Sequence, residues 1–217
     1  MKKMKKDFFK DSSVKFPAYE PWISNDDKRI VNTALNQTML TFGPQLEKFE
    51  SDFSKYTKAK YAIAVSNCTA ALHLSLKVLG IKENDEVITV AAAFPTTVNP
   101  IYQNNLVPVF CDVELGNNNI KISDLEKAIS EKTKAIIPVH LYGQSCEMEG
   151  IMNLAKKYNL KVVEDNAQAI GSIYTFSNGE EKYTGTIGDI GTTSFYPAKN
   201  LGCYGDGGAI FTNNDGL

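Results

Sequence analysis

A chain of 217 residues with 43% hydrophobic content and a formal net charge of −2 is long enough for one well-buried core. That charge balance points to neither a nucleic-acid binder nor a lipid-surface protein, and no segment approaches the apolar length of a membrane span. Cys68, Cys111, Cys146 and Cys203 lack CxxC spacing and His73 and His140 lie far apart, so neither a disulfide framework nor a metal site is predicted.

The first residues, MKKMKKDFFKDSS, are basic without the apolar stretch of a signal peptide, which predicts an N-terminal arm over 1–15 and a cytoplasmic protein. Helices are predicted over 26–36 and 44–55, with Pro44 suited to the first turn of the second. Gly43 and Pro44 either approach a substrate or simply open that helix. From Tyr61 onward, short β-branched runs alternate with helical stretches, the pattern of a parallel sheet covered by helices. Strands are predicted at 61–65, 86–90, 107–110, 135–139, 161–164, 191–195 and 208–212, and helices at 69–79, 95–104, 124–130 and 148–158. Ser123 with Glu126 reads as a capping box, and Asn178-Gly179 as the turn of a hairpin over 174–183. The fold class is α/β, a mainly parallel sheet of about seven strands flanked by helices.

Chemistry enters through one lysine and one aspartate. Lys199 stands between Pro197 and four glycines, Gly202, Gly205, Gly207 and Gly208, where the backbone must turn tightly and approach something closely. Upstream, Val162 and Val163 run directly into Glu164 and Asp165, and two carboxylates ending an apolar strand are costly unless each has a partner. Neighbouring strand residues face opposite ways, so at most one of the two serves a site. A lysine able to form a Schiff base and a buried carboxylate able to hold a pyridine nitrogen protonated are the two groups that pyridoxal 5′-phosphate (PLP) requires. In VSNCTAAL, residues 65–72, a strand ends and a helix begins near Thr69, so free amides and the helix dipole favour a phosphate there. Thr69 adds a hydroxyl and the small Ala70 admits an anion to its amide; Ser66 or Asn67 capping the helix is the plainer alternative.

These blocks, together with TFGPQLEKFE, NDEVITVAAAFPTTVNPI, PVFCDV, KTKAIIPVHLYGQ and GDIGTTSFYPAKNLGCYGDGGAIFTNND, resemble the DegT/DnrJ/EryC1/StrS family of PLP-dependent sugar aminotransferases, in its large-domain portion. The resemblance implies a PLP transferase of fold type I, with 16–217 as the PLP-binding large domain and the family's C-terminal small domain absent from this sequence, as in a shortened product. It implies that Asp165 and Lys199 are catalytic. It also assigns cofactor binding to Cys68, Thr69, Ala70, Phe94, Asp165, Gln168, Ser194 and Lys199, with no metal. Within that set Phe94 stacks on the ring or is plain core, Gln168 reaches the phenolic oxygen or bonds a helix N-terminus, and Ser194 is a second phosphate ligand or a buried serine on a carbonyl. Cys68 departs from the glycine typical of the family, which suits a phosphate loop provided its backbone is not left-handed. Glu164 and His140 are read as structural. The implied activity is transamination of a nucleotide-linked keto-sugar to an amino-sugar, with glutamate as amino donor and a homodimer as the full-length form. Alternatives are an inactive truncated member of the fold, a PLP-dependent sugar dehydratase, in which histidine replaces the lysine, and a PLP lyase or decarboxylase.

Overall fold

The computed structural model describes residues 22–217; the arm expected over 1–15 lies outside them. The described chain holds nine strands and six α-helices, which alternate from Tyr61 to Asp165. Seven strands form one sheet: β1 (Tyr61–Val65), β9 (Gly208–Thr212), β8 (Ile190–Ser194), β5 (Lys161–Asp165), β4 (Thr133–Ile136), β2 (Glu86–Val90) and β3 (Val107–Cys111), in that spatial order. From β8 to β3 all pairs are parallel, whereas β9 runs antiparallel to both β1 and β8. The register pairs Gly208 with both Val65 and Ser194, so the first residue of β9 meets the last residues of its neighbours on one edge. In open α/β sheets that carboxyl edge is where ligands bind.

Alternation along the central strands builds two cores. Ile88, Ile136 and Val162 face α5 (Ile122–Ala128) and α6 (Met148–Tyr158), packing with Leu125, Met148, Ile151 and Leu154. The next residue in each strand, or the one before it, takes the other face: Val87, Ala135 and Val163 pack against Leu72 and Leu76 of α3 (Cys68–Val78) and Ile101 of α4 (Asn99–Gln103). A third cluster sits under α2 (Pro44–Thr57), where the Phe53 ring meets Phe195 and Phe211 edge-on at 5.5 and 5.6 Å between centroids.

Three expectations are corrected. The helix expected over 95–104 splits into a 3₁₀ turn at Pro95–Thr97 and α4, because Pro100 has no amide to continue the helical ladder. The strand expected over 135–139 is regular only over Thr133–Ile136; beyond it the Ile137 amide still bonds the Ile88 carbonyl, and past Pro138, which has no donor, pairing is reduced to the Val139–Asp165 bridge. Ser123 caps nothing: Ile120 is pinned by a bridge to Val113 and the Lys121 amide bonds the Asp112 carbonyl, so α5 starts at Ile122 with Lys121 as its N-cap. The capping box lies instead at Ser24 and Asp27, on α1 (Asn25–Leu35). The hairpin is present as β6 (Ile173–Thr175) and β7 (Glu181–Tyr183), with Gly179 at φ +84° in its turn. Among the described residues no helix is long and apolar enough to cross a membrane.

Candidate active site

The ends of β5 and β8, together with the segments that follow β1 and β2, border a cavity of about 560 Å³, within the range of small-molecule sites. Lys199 and Asp165 both border it, as do Cys68, Thr69, Phe94, Gln168 and Ser194.

Glu164 and Asp165 divide as alternation requires. Glu164 is fully buried on the far face, where Oε1 accepts the amides of Ile187 and Gly188 at 2.7 and 2.6 Å, and Oε2 accepts that of Gly185 at 2.6 Å. Its fourth partner is His140, whose Nε2 lies 2.9 Å from Oε2. The Cys146 amide donates to His140 Nδ1 at 3.1 Å, so the ring proton shared with Glu164 sits on Nε2. Both residues are structural, tying the 140–146 and 185–188 loops to β5. Asp165 ends β5 on the cavity side, with Oδ2 accepting the Thr97 hydroxyl at 2.7 Å and Oδ1 accepting the Ala167 amide at 3.1 Å.

The residues expected to meet a phosphate take distinct places at the start of α3. Asn67 is the N-cap, its Oδ1 accepting the Ala70 amide at 2.8 Å, while the Ala71 amide bonds the Asn67 carbonyl. That leaves the Cys68 and Thr69 amides without a protein acceptor at the positive end of the helix dipole. Ala70 is the exception among the expected ligands: its amide is taken by the cap and it does not border the cavity. Cys68 has ordinary right-handed backbone, so its side chain costs no left-handed strain. Its Sγ packs 4.0 Å from Asp165 Oδ1 and 3.7 Å from Thr192 Oγ1, and burial, reinforced by the Asp165 charge, pushes the thiol well above its ordinary pKa. A Cβ on Gly208 would meet Asn67 C at 2.5 Å and Cys68 N at 2.7 Å, so only glycine lets β9 begin against this loop.

Phe94 is 67% exposed at the cavity, which removes the plain-core reading. Gln168 caps no helix; its Oε1 accepts the Tyr142 amide at 3.0 Å, leaving Nε2 as a free donor group. Ser194 ends β8 and its Oγ accepts the Tyr196 amide at 3.2 Å, which keeps the hydroxyl proton available. Lys199 follows a turn in which its amide bonds the Tyr196 carbonyl at 2.8 Å. It also borders a second cavity of about 540 Å³, beside Trp22 and Tyr204. Thr97, Tyr196 and Asp206 border the main cavity without having been anticipated; Thr97 reaches Asp165 only through the tertiary fold, which no local pattern encodes. Among the described residues no cluster of three His, Cys, Asp or Glu could hold a metal ion.

The family model of the DegT/DnrJ/EryC1/StrS aminotransferases matches residues 21–217. The chain is 43% identical to the GDP-perosamine synthase of Escherichia coli O157:H7 over 202 residues, covering 93% of this chain and 54% of that protein. Among solved structures, the aminotransferase from Psychrobacter cryohalolentis superposes with a TM-score of 0.85 at 36% identity, covering 91% of this chain and 50% of that one. NtdA from Bacillus subtilis, solved with bound PMP, gives 0.79 at 36% identity over 89% of this chain and 43% of that one. The chain spans about half the length of the curated relatives it matches.

Proposed function

The chain belongs to the DegT/DnrJ/EryC1/StrS aminotransferase family, and from that premise we propose that the cavity between Asp165 and Lys199 holds PLP and that the whole protein transfers an amino group to a nucleotide-linked keto-sugar, with glutamate as donor. The observation that carries this reading is the placement of a lysine amine, a carboxylate and a helix N-terminus with two free amides around one cavity. The donor set fits the group: amides and hydroxyls for a phosphate, an acceptor for a ring N–H, an exposed aromatic face and an amine. When bound, PLP supplies an aldehyde that takes up amines and a ring that accepts electrons from the neighbouring carbon.

The protein's own groups then have separate tasks. The Cys68 and Thr69 amides, with the Thr69 and Ser194 hydroxyls, hold the phosphate. Asp165 accepts the ring N–H and keeps that nitrogen protonated, so electrons can be drawn into the ring. Phe94 covers one ring face, and Gln168 Nε2 donates to the phenolic oxygen. Lys199 Nζ tethers the cofactor at rest and, once freed by the incoming amine, removes the proton from the donor's α-carbon and returns a proton when the keto-sugar is aminated. The lysine at 199 stands against the dehydratase alternative, in which a histidine fills that place. A homodimer covering the exposed apolar residues near Lys199 completes the proposal.

Lys199→Ala is the direct test. It should abolish the visible-edge absorbance that the purified protein acquires with PLP, and an unchanged spectrum removes Lys199 from its role. Bleaching of that colour by glutamate supports the donor assignment; a colourless protein that takes up no PLP supports the inactive alternative instead.

A further inference from the structure

Asp165 is oriented by a residue that lies 68 positions away in sequence. The hydroxyl of Thr97 donates to Oδ2 at 2.7 Å, and both side chains are secluded, at 1% and 5% exposure. Thr97 is not free to drift. It closes the 3₁₀ turn Pro95–Thr97, its amide bonding the Phe94 carbonyl at 2.9 Å, and Pro95 fixes the first φ of that turn. Phe94 caps the same turn, so four consecutive residues present an aromatic face to the cavity at one end and grip the aspartate at the other. On Oδ1 the Ala167 amide donates at 3.1 Å. Cys68 fills the remaining side as a neutral wall, because the Thr192 hydroxyl gives its own proton to the Glu164 carbonyl at 3.0 Å and is left to accept from the thiol.

We propose that Thr97 is a positioning residue of this site: by donating to Oδ2 it fixes the rotation of the Asp165 carboxylate and aims its remaining lone pairs at the ring N–H of the bound cofactor. This rests on the PLP reading above and deepens it. A hydrogen bond to a charged group is among the stronger ones, and its loss lets the carboxylate turn away or seek another donor. The effect must therefore be felt at the ring nitrogen and nowhere else on the cofactor.

The test is equilibrium binding of two ligands to the full chain: PLP, and the PLP analogue in which carbon replaces the ring nitrogen. Thr97→Val keeps the shape and removes the hydroxyl; it should weaken PLP about tenfold while leaving the analogue's affinity within about twofold of wild type. Thr97→Ser, which restores the donor, should recover PLP binding. A merely structural role would weaken both ligands equally, and that result, or no change in either, overturns the proposal. Thr97→Ala reads the same contrast if the valine does not fit, with the melting temperature of the cofactor-free protein reporting folding. Wild-type protein that binds neither ligand would remove the cofactor reading itself, and the Thr97 role with it.

Discussion

Glu164 and Asp165 are chemically alike and adjacent, yet their surroundings assign them opposite work. Glu164 accepts four donors in a fully buried place, so Glu164→Gln turns an NH₂ group toward backbone amides that have no other acceptor. We expect that change to cost about 3 kcal/mol or more in urea unfolding, the scale for breaking a buried charged cluster. Asp165→Asn should cost about 1 kcal/mol or less by the same measurement, since the retained oxygen can accept the Ala167 amide while the Thr97 hydroxyl turns to accept from the new NH₂, whereas the proposed transaminase activity is lost. Equal destabilisation by the two changes would mean that the division of roles is wrong. The division itself was legible in the sequence, because Val162-Val163-Glu164-Asp165 alternates across a strand with only one side open to a site. The partners were not: the amides of 185–188 and the Thr97 hydroxyl arrive from distant segments, and nothing local to 164 or 165 encodes them.

Elements converge on the site through close backbone approach, as β9 does against the start of α3. Gly208→Ala would drive a methyl into the backbone of Asn67 and Cys68, which must shift and carry the free amides with them. PLP should then lose most of its affinity advantage over pyridoxal, which lacks the phosphate; an unchanged ratio of the two dissociation constants would separate this loop from the phosphate. α1 buries no residue and depends on its end. The Ser24 hydroxyl, and then its amide, hold the Asp27 carboxyl below its ordinary value of 3.8. A depressed folded-state value means that the contribution is complete above pH 4 and is lost as pH falls through the lowered value. Amide-proton NMR should show α1 fraying first on acidification, and Ser24→Ala should reproduce that fraying at pH 7; α1 amides that stay protected in both would disprove it. The periodicities that mark strands and long helices locate α6 at Met148–Tyr158, where the structure has it, whereas the break at Pro100 and the start of α5 depended on proline chemistry and on the Val113–Ile120 bridge.

At the scale of the molecule, four of the exposed aromatic side chains lie around the expected site. Phe94 and Tyr196, 67% and 53% exposed, border the main cavity; Trp22 and Tyr204, 88% and 54% exposed, border the second, and the two cavities share Ala198 and Lys199. Exposed aromatic groups collected around one lysine are costly to leave uncovered and mark a contact surface. The homodimer proposed above would cover them, and Trp22, the only tryptophan of the sequence, offers a direct signal. Raising the protein concentration should shift sedimentation from monomer to dimer and move Trp22 emission toward the blue as water is excluded. Adding PLP should quench the same emission, since Trp22 and Lys199 border one cavity. Sedimentation that stays monomeric at about 100 µM, well above typical dissociation constants of specific dimers, with Trp22 emission unmoved, would leave the aromatic rim without the partner assigned to it. Quenching by PLP in that same monomer would still place the cofactor beside Trp22, so the two readouts separate the assembly from the site.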